Sequence, residues 1–371
     1  MKKSKNILIL DTNISSLPIV NSLGDYRVSC IGNNPLDSLV TEEYNYKKVN
    51  YSKRHKLIKH LDEYSPDYVV PGCNDKSYEM VAGLNISKKY THNITSGEAL
   101  NTLVDKAAFK SLCNKLNIPT PKKLNIDKNN RGCKIIVKPV DSFSGKGISI
   151  VDGNDQPLLK GAIERAEMHS QNGKVVTEEF IDGNHYSYSC FIREGKILSD
   201  FVVRELFLYR PFAVDHSFCV YGYQHLPLLR KWILDIATEL DLCDGLLHVQ
   251  FVEGSDGIKF LEITRRCPGD LYSALIHLST GVNYASLYVK PFLGVLNKSV
   301  NYSKQQVILR KTFIHTPEKT FTSLGSRETR YLIRFYPYHK AGQGKELERF
   351  GIGFYLYDSF RTMLIENPML R

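Results

Sequence analysis

The chain predicts an α/β unit followed by a larger α+β region, and three observations carry that reading. Near the start, apolar runs at residues 6–10 (NILIL), 26–31 and 68–70 alternate with stretches of helical length, as in a parallel sheet. From residue 134 onward, strand-like segments come instead in pairs around glycine turns, at 134–151, 187–204 and 246–264. Helical spacing stands beside them at 105–116 and 228–240, where Leu229, Ile233, Ile236 and Leu240 share a face.

A length of 371 residues allows one to three domains and an ample core. The net charge of +10 comes from lysines and arginines spread along the chain. That dispersion fits a basic surface that steers anionic ligands better than it fits a nucleic-acid partner. The eight cysteines form no C-x-x-C pair and no zinc-ligand spacing, which suggests reduced thiols and a cytoplasmic location. The opening MKKSKNILILD loses its apolar run at Asp11, too early for a signal peptide. No stretch reaches the length of a membrane span, so no membrane partner is expected.

In chain order, the run at 6–10 reads as a buried strand followed by a helix to about Leu23. Asp11–Asn13 and Asn74-Asp75 lie at carboxyl ends of strands, where open α/β sheets bind ligands. Polar turn residues explain them equally well. In the helix at 105–116, Ala108, Leu112 and Leu116 share a face, and Pro119 and Pro121 follow its end. Lys106 sits in its first turn, where positive charge opposes the helix dipole; it is either ligand-facing or an ordinary solvated lysine.

The most informative stretch is KIIVKPVDSFSGKGISIV, residues 134–151, read as strand, loop, strand. Its loop holds Ser142, Ser144, Gly145, Lys146 and Gly147. Glycines let backbone N–H groups close on a ligand, and consecutive N–H groups make an anion-binding concavity. Lys146, and Lys138 at the strand end, add positive charge suited to a polyphosphate. The P-loop pattern fails because Val140 and Gly147 stand at its first glycine and its Ser/Thr; G-x-G-x-x-G fails at Ile150. On these residues alone an ordinary hairpin tip is an equal alternative. As an exposed tip, the loop predicts that replacing Gly145 and Gly147 with valine costs turnover far more than stability.

Val175-Val176-Thr177-Glu178-Glu179-Phe180-Ile181 reads as a strand ending at Asp182-Gly183, and 187–193 with 196–204 as a hairpin turning at Glu194-Gly195. In the last hairpin, Leu247, Val249 and Phe251 alternate with His248, Gln250 and Val252. Centred on Asp256, it sets Gln250 opposite Glu262, with His248 and Thr264 extending that face. Oxygen-bearing side chains beside Arg265 and Arg266 suit a magnesium–phosphate complex, although a half-polar sheet face has the same residues. Beyond about Leu296 the chain reads as less regular, with Arg310, Arg327, Arg330 and Arg334 and a loop at 342–344. There is no internal repeat.

Taken in order, these segments resemble the ATP-grasp superfamily, the group of biotin carboxylase, carbamoyl-phosphate synthetase and the carboxylate–amine ligases. The matching pieces are Asp105-Lys106, Ile136–Pro139 with its Ser/Gly loop, Glu178–Gly183, His248–Phe251 and Glu262–Arg266, within residues 5–295. The resemblance implies a parallel α/β domain over 1–95 and an ATP-grasp domain over 96–300, with a small lid at about 120–185. A C-terminal extension over 301–371 would complete the substrate site. ATP would lie between two α+β subdomains. Lys106 and Lys138 would contact its phosphates, Ser142, Ser144, Gly145, Lys146 and Gly147 would close over them, and Glu178, the backbone of Glu179 and Ile181, and His185 would meet adenine and ribose. Magnesium, or manganese, would use Glu262, Gln250 and Thr264, and Arg266 would act catalytically with Lys146. Gln250 and Thr264 depart from the usual acidic residue and asparagine, and Gln250→Glu is expected to raise magnesium affinity. Asn74, Asp75 and Arg204 are candidates for substrate contact.

The implied activity is an ATP-dependent ligase joining a small carboxylate to an amine through an acyl-phosphate, in a homodimer. The rivals are a bicarbonate-activating carboxylase acting on an amine and a nucleotide-binding protein that has lost catalysis.

Overall fold

A computed structural model describes residues 5–34, 45–84, 89–125, 132–140, 145–170, 172–209, 212–296, 300, 302–314, 333–335 and 349–370. Strands β1 (Asn6–Leu10), β2 (Arg27–Gly32), β3 (Asn45–Lys48) and β4 (Tyr68–Pro71) form a parallel sheet in the order β3-β2-β1-β4. Ile7 to Leu10 are wholly buried, as a strand covered on both faces requires. The helix expected to reach Leu23 is much shorter. Asn13 caps a single 3-10 turn, Ile14–Ser16, and α1 (Leu17–Asn21) follows with Pro18 in its first turn. Asp11 explains the local chain path. Its buried carboxylate accepts from the Asn13 and Cys73 backbones and from Ser16 Oγ, tying the ends of β1 and β4 together. Helices α2 (Arg54–Tyr64) and α3 (Asp75–Leu84) complete this part.

Next come α4 (Gly97–Val104) and α5 (Lys106–Lys115). The chain breaks between them because the Asp105 carboxylate accepts from the N–H groups of Ala107 and Ala108 and starts a new helix. An antiparallel sheet follows, in the order β6-β5-β7, from β5 (Lys134–Pro139), β6 (Ser149–Asp152) and β7 (Val175–Glu179), with α6 (Gln156–His169) against it. Its core is small: Ile135, Val137, Val151, Leu159, Ala162 and Ala166.

The remaining strands build one antiparallel sheet in the order β12-β11-β8-β9-β10-β13-β15-β14. They are β8 (Gly183–Arg193), β9 (Lys196–Leu206), β10 (His216–Val220), β11 (Gly245–Gly254), β12 (Gly257–Thr264), β13 (Val307–Ile314), β14 (Ile333–Phe335) and β15 (Arg349–Tyr357). Glu194 and Gly195, with φ of +51° and +71°, make the β8–β9 turn at the expected place. Helix α7 (Leu226–Glu239) packs Leu229, Trp232, Ile233 and Ile236 into a cluster with Tyr188, Phe251 and Phe260. Helices α8 (Tyr272–Thr280) and α9 (Tyr284–Val289) join a second cluster that runs into the parallel sheet, so one core spans both. Helix α10 (Phe360–Glu366) lies near the C-terminus. The expectation of an irregular C-terminal region is overturned for its described part, since β13 and β15 pair from Val307↔Tyr357 to Ile314↔Arg349 inside the large sheet. Arg327, Arg330 and the loop at 342–344 lie outside the described residues.

All eight cysteines are free thiols. Among the described residues, no helix is long and apolar enough to cross a membrane.

Candidate active site

A cleft of about 520 Å³ separates the three-stranded sheet from the large one, a size typical of small-molecule sites. Its lining includes Lys106, Lys138, Gly145 and the segment from Glu178 to Ile181. It also includes Glu205, Gln250, Leu261, Glu262, Thr264 and Arg266 of the large sheet and its continuation, together with Asp75 from α3.

Glu178 is buried at the back of the lid. Its carboxylate pairs with Lys138 Nζ at 2.6 Å and with Lys110, whose Nζ also donates to the Pro121 carbonyl at 2.9 Å. Burial alone would push the Glu178 carboxyl up, but the two lysines outweigh it and hold it below its ordinary value. Lys110 was missed in the sequence; standing four residues after Lys106 on one helix was the available signal. Glu179 ties the lid to the large sheet, accepting from Lys122 N–H at 2.9 Å and from buried Lys259 Nζ at 2.9 Å. Its own N–H already donates to the Lys122 carbonyl at 3.0 Å.

His185 also lines the cleft, edge-on to Phe207 at 4.9 Å between ring centroids. Burial, with the nearby charge of Arg204, pushes it down to about 4, so the ring is neutral near pH 7. Arg204 is not among the lining residues. It donates to the His185 carbonyl at 3.1 Å and to Asn184 Oδ1, and lies over the Tyr186 ring, so it fastens the start of β8.

In the lid loop, Gly145 and Gly147 have φ of +74° and +75°, a region that favours glycine. Gly145 lines the cleft, whereas Lys146 is exposed and Gly147 faces α6. A Cβ on Gly147 would lie 2.7 Å from His169 Cβ and 2.8 Å from Pro139 Cγ, so this glycine is packed and is no open tip. Ser142 and Ser144 lie outside the described residues.

Gln250 stands opposite Glu262, and His248 opposite Thr264, in the expected register. The route differs. The turn is Ser255-Asp256, flanked by the pair Gly254↔Gly257, and by itself it would set Gln250 opposite Leu261. A β-bulge beside Phe251 absorbs one residue of β12, so that Leu261 and Glu262 both line the cleft while Phe260 stays in the core. His248 does not line the cleft. It is buried, shares a hydrogen bond between Nδ1 and Ser189 Oγ at 2.7 Å, and is pushed down to about 3 by burial and by Arg266.

Arg266 and Asp75 come together from distant segments: Nε donates to Oδ1 at 2.8 Å and Nη2 to Oδ2 at 3.4 Å. Thr264 Oγ1 reaches the same carboxylate at 3.4 Å. Asn74 is not a lining residue; its side chain accepts from Ser77 N–H at 2.8 Å and caps α3. Glu205 of β9, missed in the sequence because it ends an apolar strand (DFVVREL), is 6% exposed and accepts from Gln250 Nε2 at 2.8 Å. Burial, with the charge of Glu262, pushes its carboxyl up to about 7 against hydrogen bonds from Ser187 and Gln250 and the charge of Arg310.

Among the described residues, no three His, Cys, Asp or Glu side chains gather as a metal set. The oxygen donors here are carboxylates mixed with amide and hydroxyl groups, which suits a hard cation that keeps several ligands from water or phosphate.

The small antiparallel sheet thus faces the large one across the cleft, with Lys138 on the first and acidic and arginine side chains on or beside the second. Residues 103–269 match the ATP-grasp domain family model. An L-amino acid ligase from Bacillus licheniformis superimposes with a TM-score of 0.76 at 14% identity, over 100% of this chain and 98% of that one. N5-carboxyaminoimidazole synthetase from Staphylococcus aureus, complexed with ADP, gives 0.76 at 13%, over 100% and 97%. The biotin carboxylase domain of Hydrogenobacter thermophilus 2-oxoglutarate carboxylase, in complex with MgADP, ADP and bicarbonate, gives 0.73 at 14%, over 95% and 86%. The shared fold is ATP-grasp.

Proposed function

We propose that the protein is an ATP-dependent ligase that joins a small-molecule carboxylate to an amine and releases ADP and phosphate. The observation that carries this reading is the pairing, across one cleft, of the lysine-flanked Glu178 with the Gln250–Glu262–Arg266 face. The ATP-grasp domain match and the L-amino acid ligase among the structural relatives support the same class.

In this reading Lys106 and Lys138 bind nucleotide phosphates, and Glu178 with Lys110 holds Lys138 in place. Ile181, the Glu179 carbonyl and His185 meet adenine and ribose. A substrate carboxylate oxygen attacks the γ-phosphorus and the bond to the β-phosphate oxygen breaks, giving acyl-phosphate and ADP. The amine nitrogen then attacks the acyl carbon, the carbon–oxygen bond to phosphate breaks, and the nitrogen loses a proton to solvent. Arg266 offers its guanidinium to the anionic oxygens and is itself aimed by Asp75. A magnesium ion held by Glu262, with oxygens of Gln250 and Thr264, would neutralise phosphate charge. The chemistry is positioning and charge neutralisation.

The test is a panel of carboxylates, bicarbonate included, crossed with amines, with nucleotide products separated by chromatography. ADP formation that requires both an acid and an amine is expected; AMP as the main product overturns the mechanism. Bicarbonate belongs in the panel because one relative is described with that anion bound.

A further inference from the structure

We infer that Glu205 is a positioning residue for Gln250, fixing which end of the Gln250 amide is offered to a divalent cation in the cleft. The inference rests on the reading of this cleft as a cation–nucleotide site and names a residue that reading lacked. A glutamine side chain is ambiguous as an oxygen ligand, because its carbonyl oxygen and its NH2 group occupy similar space. Here the amide nitrogen is the end that faces Glu205, with Nε2 donating to Glu205 Oε2 at 2.8 Å.

Strand order then sets where the oxygen goes. Gln250 is on β11, with Glu262 of β12 directly opposite on one side. On the other side come Ser187 of β8 and, beyond it, β9 with Glu205. Nitrogen held toward β9 leaves the carbonyl oxygen turned toward the Glu262 side. Glu205 is buried and held in its turn by Ser187, so it is a fixed anchor and not a surface side chain that happens to be near. A partner of this kind, one step behind a ligand, typically changes metal affinity about tenfold to a hundredfold when removed.

The probe is Mn2+, added to the full chain in the presence of ADP, with free ion followed by electron paramagnetic resonance. Glu205→Gln is near-isosteric but offers an amide to an amide, and should weaken Mn2+ binding about tenfold or more. The double exchange Glu205→Gln with Gln250→Glu restores one donor–acceptor pair with its sense reversed and places an anionic oxygen at the ligand position, and should return affinity to the wild-type value or above it. Wild-type affinity in Glu205→Gln, or a double exchange that binds no better than the single variant, overturns the assignment. If Glu205→Gln is recovered only unfolded, the double exchange is judged against wild type alone, and weak binding in a folded double exchange overturns it. Wild-type protein that takes up no Mn2+ with ADP overturns instead the cation–nucleotide reading on which the assignment rests, so the two failures are distinguishable.

Discussion

Glu178 shows how one buried charge organises a site. A carboxylate at 2% exposure is tolerable because Lys138 and Lys110 both reach it. Removing it strands two cations, so Glu178→Gln should lower unfolding free energy by about 3–5 kcal/mol, read from denaturant melts. Its folded carboxyl lies below the ordinary value of 4.5, so its contribution is complete above about pH 4.5 and is lost as pH falls through the depressed value. Wild-type melting temperature should therefore fall more steeply on acidification than that of Glu178→Gln; parallel curves would show that another group controls the acid limb. Lys138→Ala should weaken ATP binding by about 1.5–3 kcal/mol in calorimetry, with far-UV circular dichroism nearly unchanged. Unchanged affinity would assign Lys138 to support of Glu178 alone. Sequence reasoning found Lys138, Glu178, Gln250, Glu262 and Arg266 because each ends or faces a strand with a readable pattern, and all of them line the cleft. It missed Lys110 and Glu205, which look like a solvated helix lysine and a polar strand end until the fold buries them. Glu205 also changes one expectation. A carboxylate at position 250 would face another carboxylate, and that repulsion opposes the gain expected of Gln250→Glu.

At the scale of elements, periodicity located the hairpins, and turn glycines located their ends. The bulge in β12 went unread because Leu261, an apolar residue that lines the cleft beside Glu262, masks the break in alternation between buried Phe260 and Ile263. The Gln250–Glu262 pairing was reached by assuming a turn centred on a residue, whereas the chain uses a two-residue turn and corrects the register further along. Packing also revises the lid loop. Gly147 has a positive φ and no room for a Cβ between His169 and Pro139, so it is packed against α6 and the end of β5. Gly147→Val should therefore lower the melting temperature as well as turnover, in contrast to the expectation of an exposed tip. A variant that loses turnover while melting as wild type would return Gly147 to a purely ligand-facing role.

At the scale of the whole molecule, the three sheets meet where the chemistry is proposed, and the contacts that join them are long-range pairs that no local pattern announces. Asp75 reaches Arg266 across 191 residues of sequence. The C-terminal strands reach the same neighbourhood from the other end. Arg310 Nε donates to the Asp270 carbonyl at 2.6 Å, and Arg349 Nη1 pairs with Asp270 Oδ1 at 2.8 Å. Asp270 and Leu271 both have left-handed backbones, with φ of +57° and +56°, a conformation that costs energy in residues other than glycine and persists only when neighbours enforce it. This turn carries the chain from Arg266 into α8, so β13 and β15 brace the segment that presents the arginine. Arg349→Met and Asp270→Asn should each lower stability, and each should lower turnover although neither residue lines the cleft. If the two act through one contact, their effects on unfolding free energy should be non-additive by about 0.5–3 kcal/mol in a double-mutant cycle. Additive losses, or turnover untouched by either change, would mean that the C-terminal strands extend the sheet without holding the turn, and Arg266 would then owe its placement to Asp75 alone.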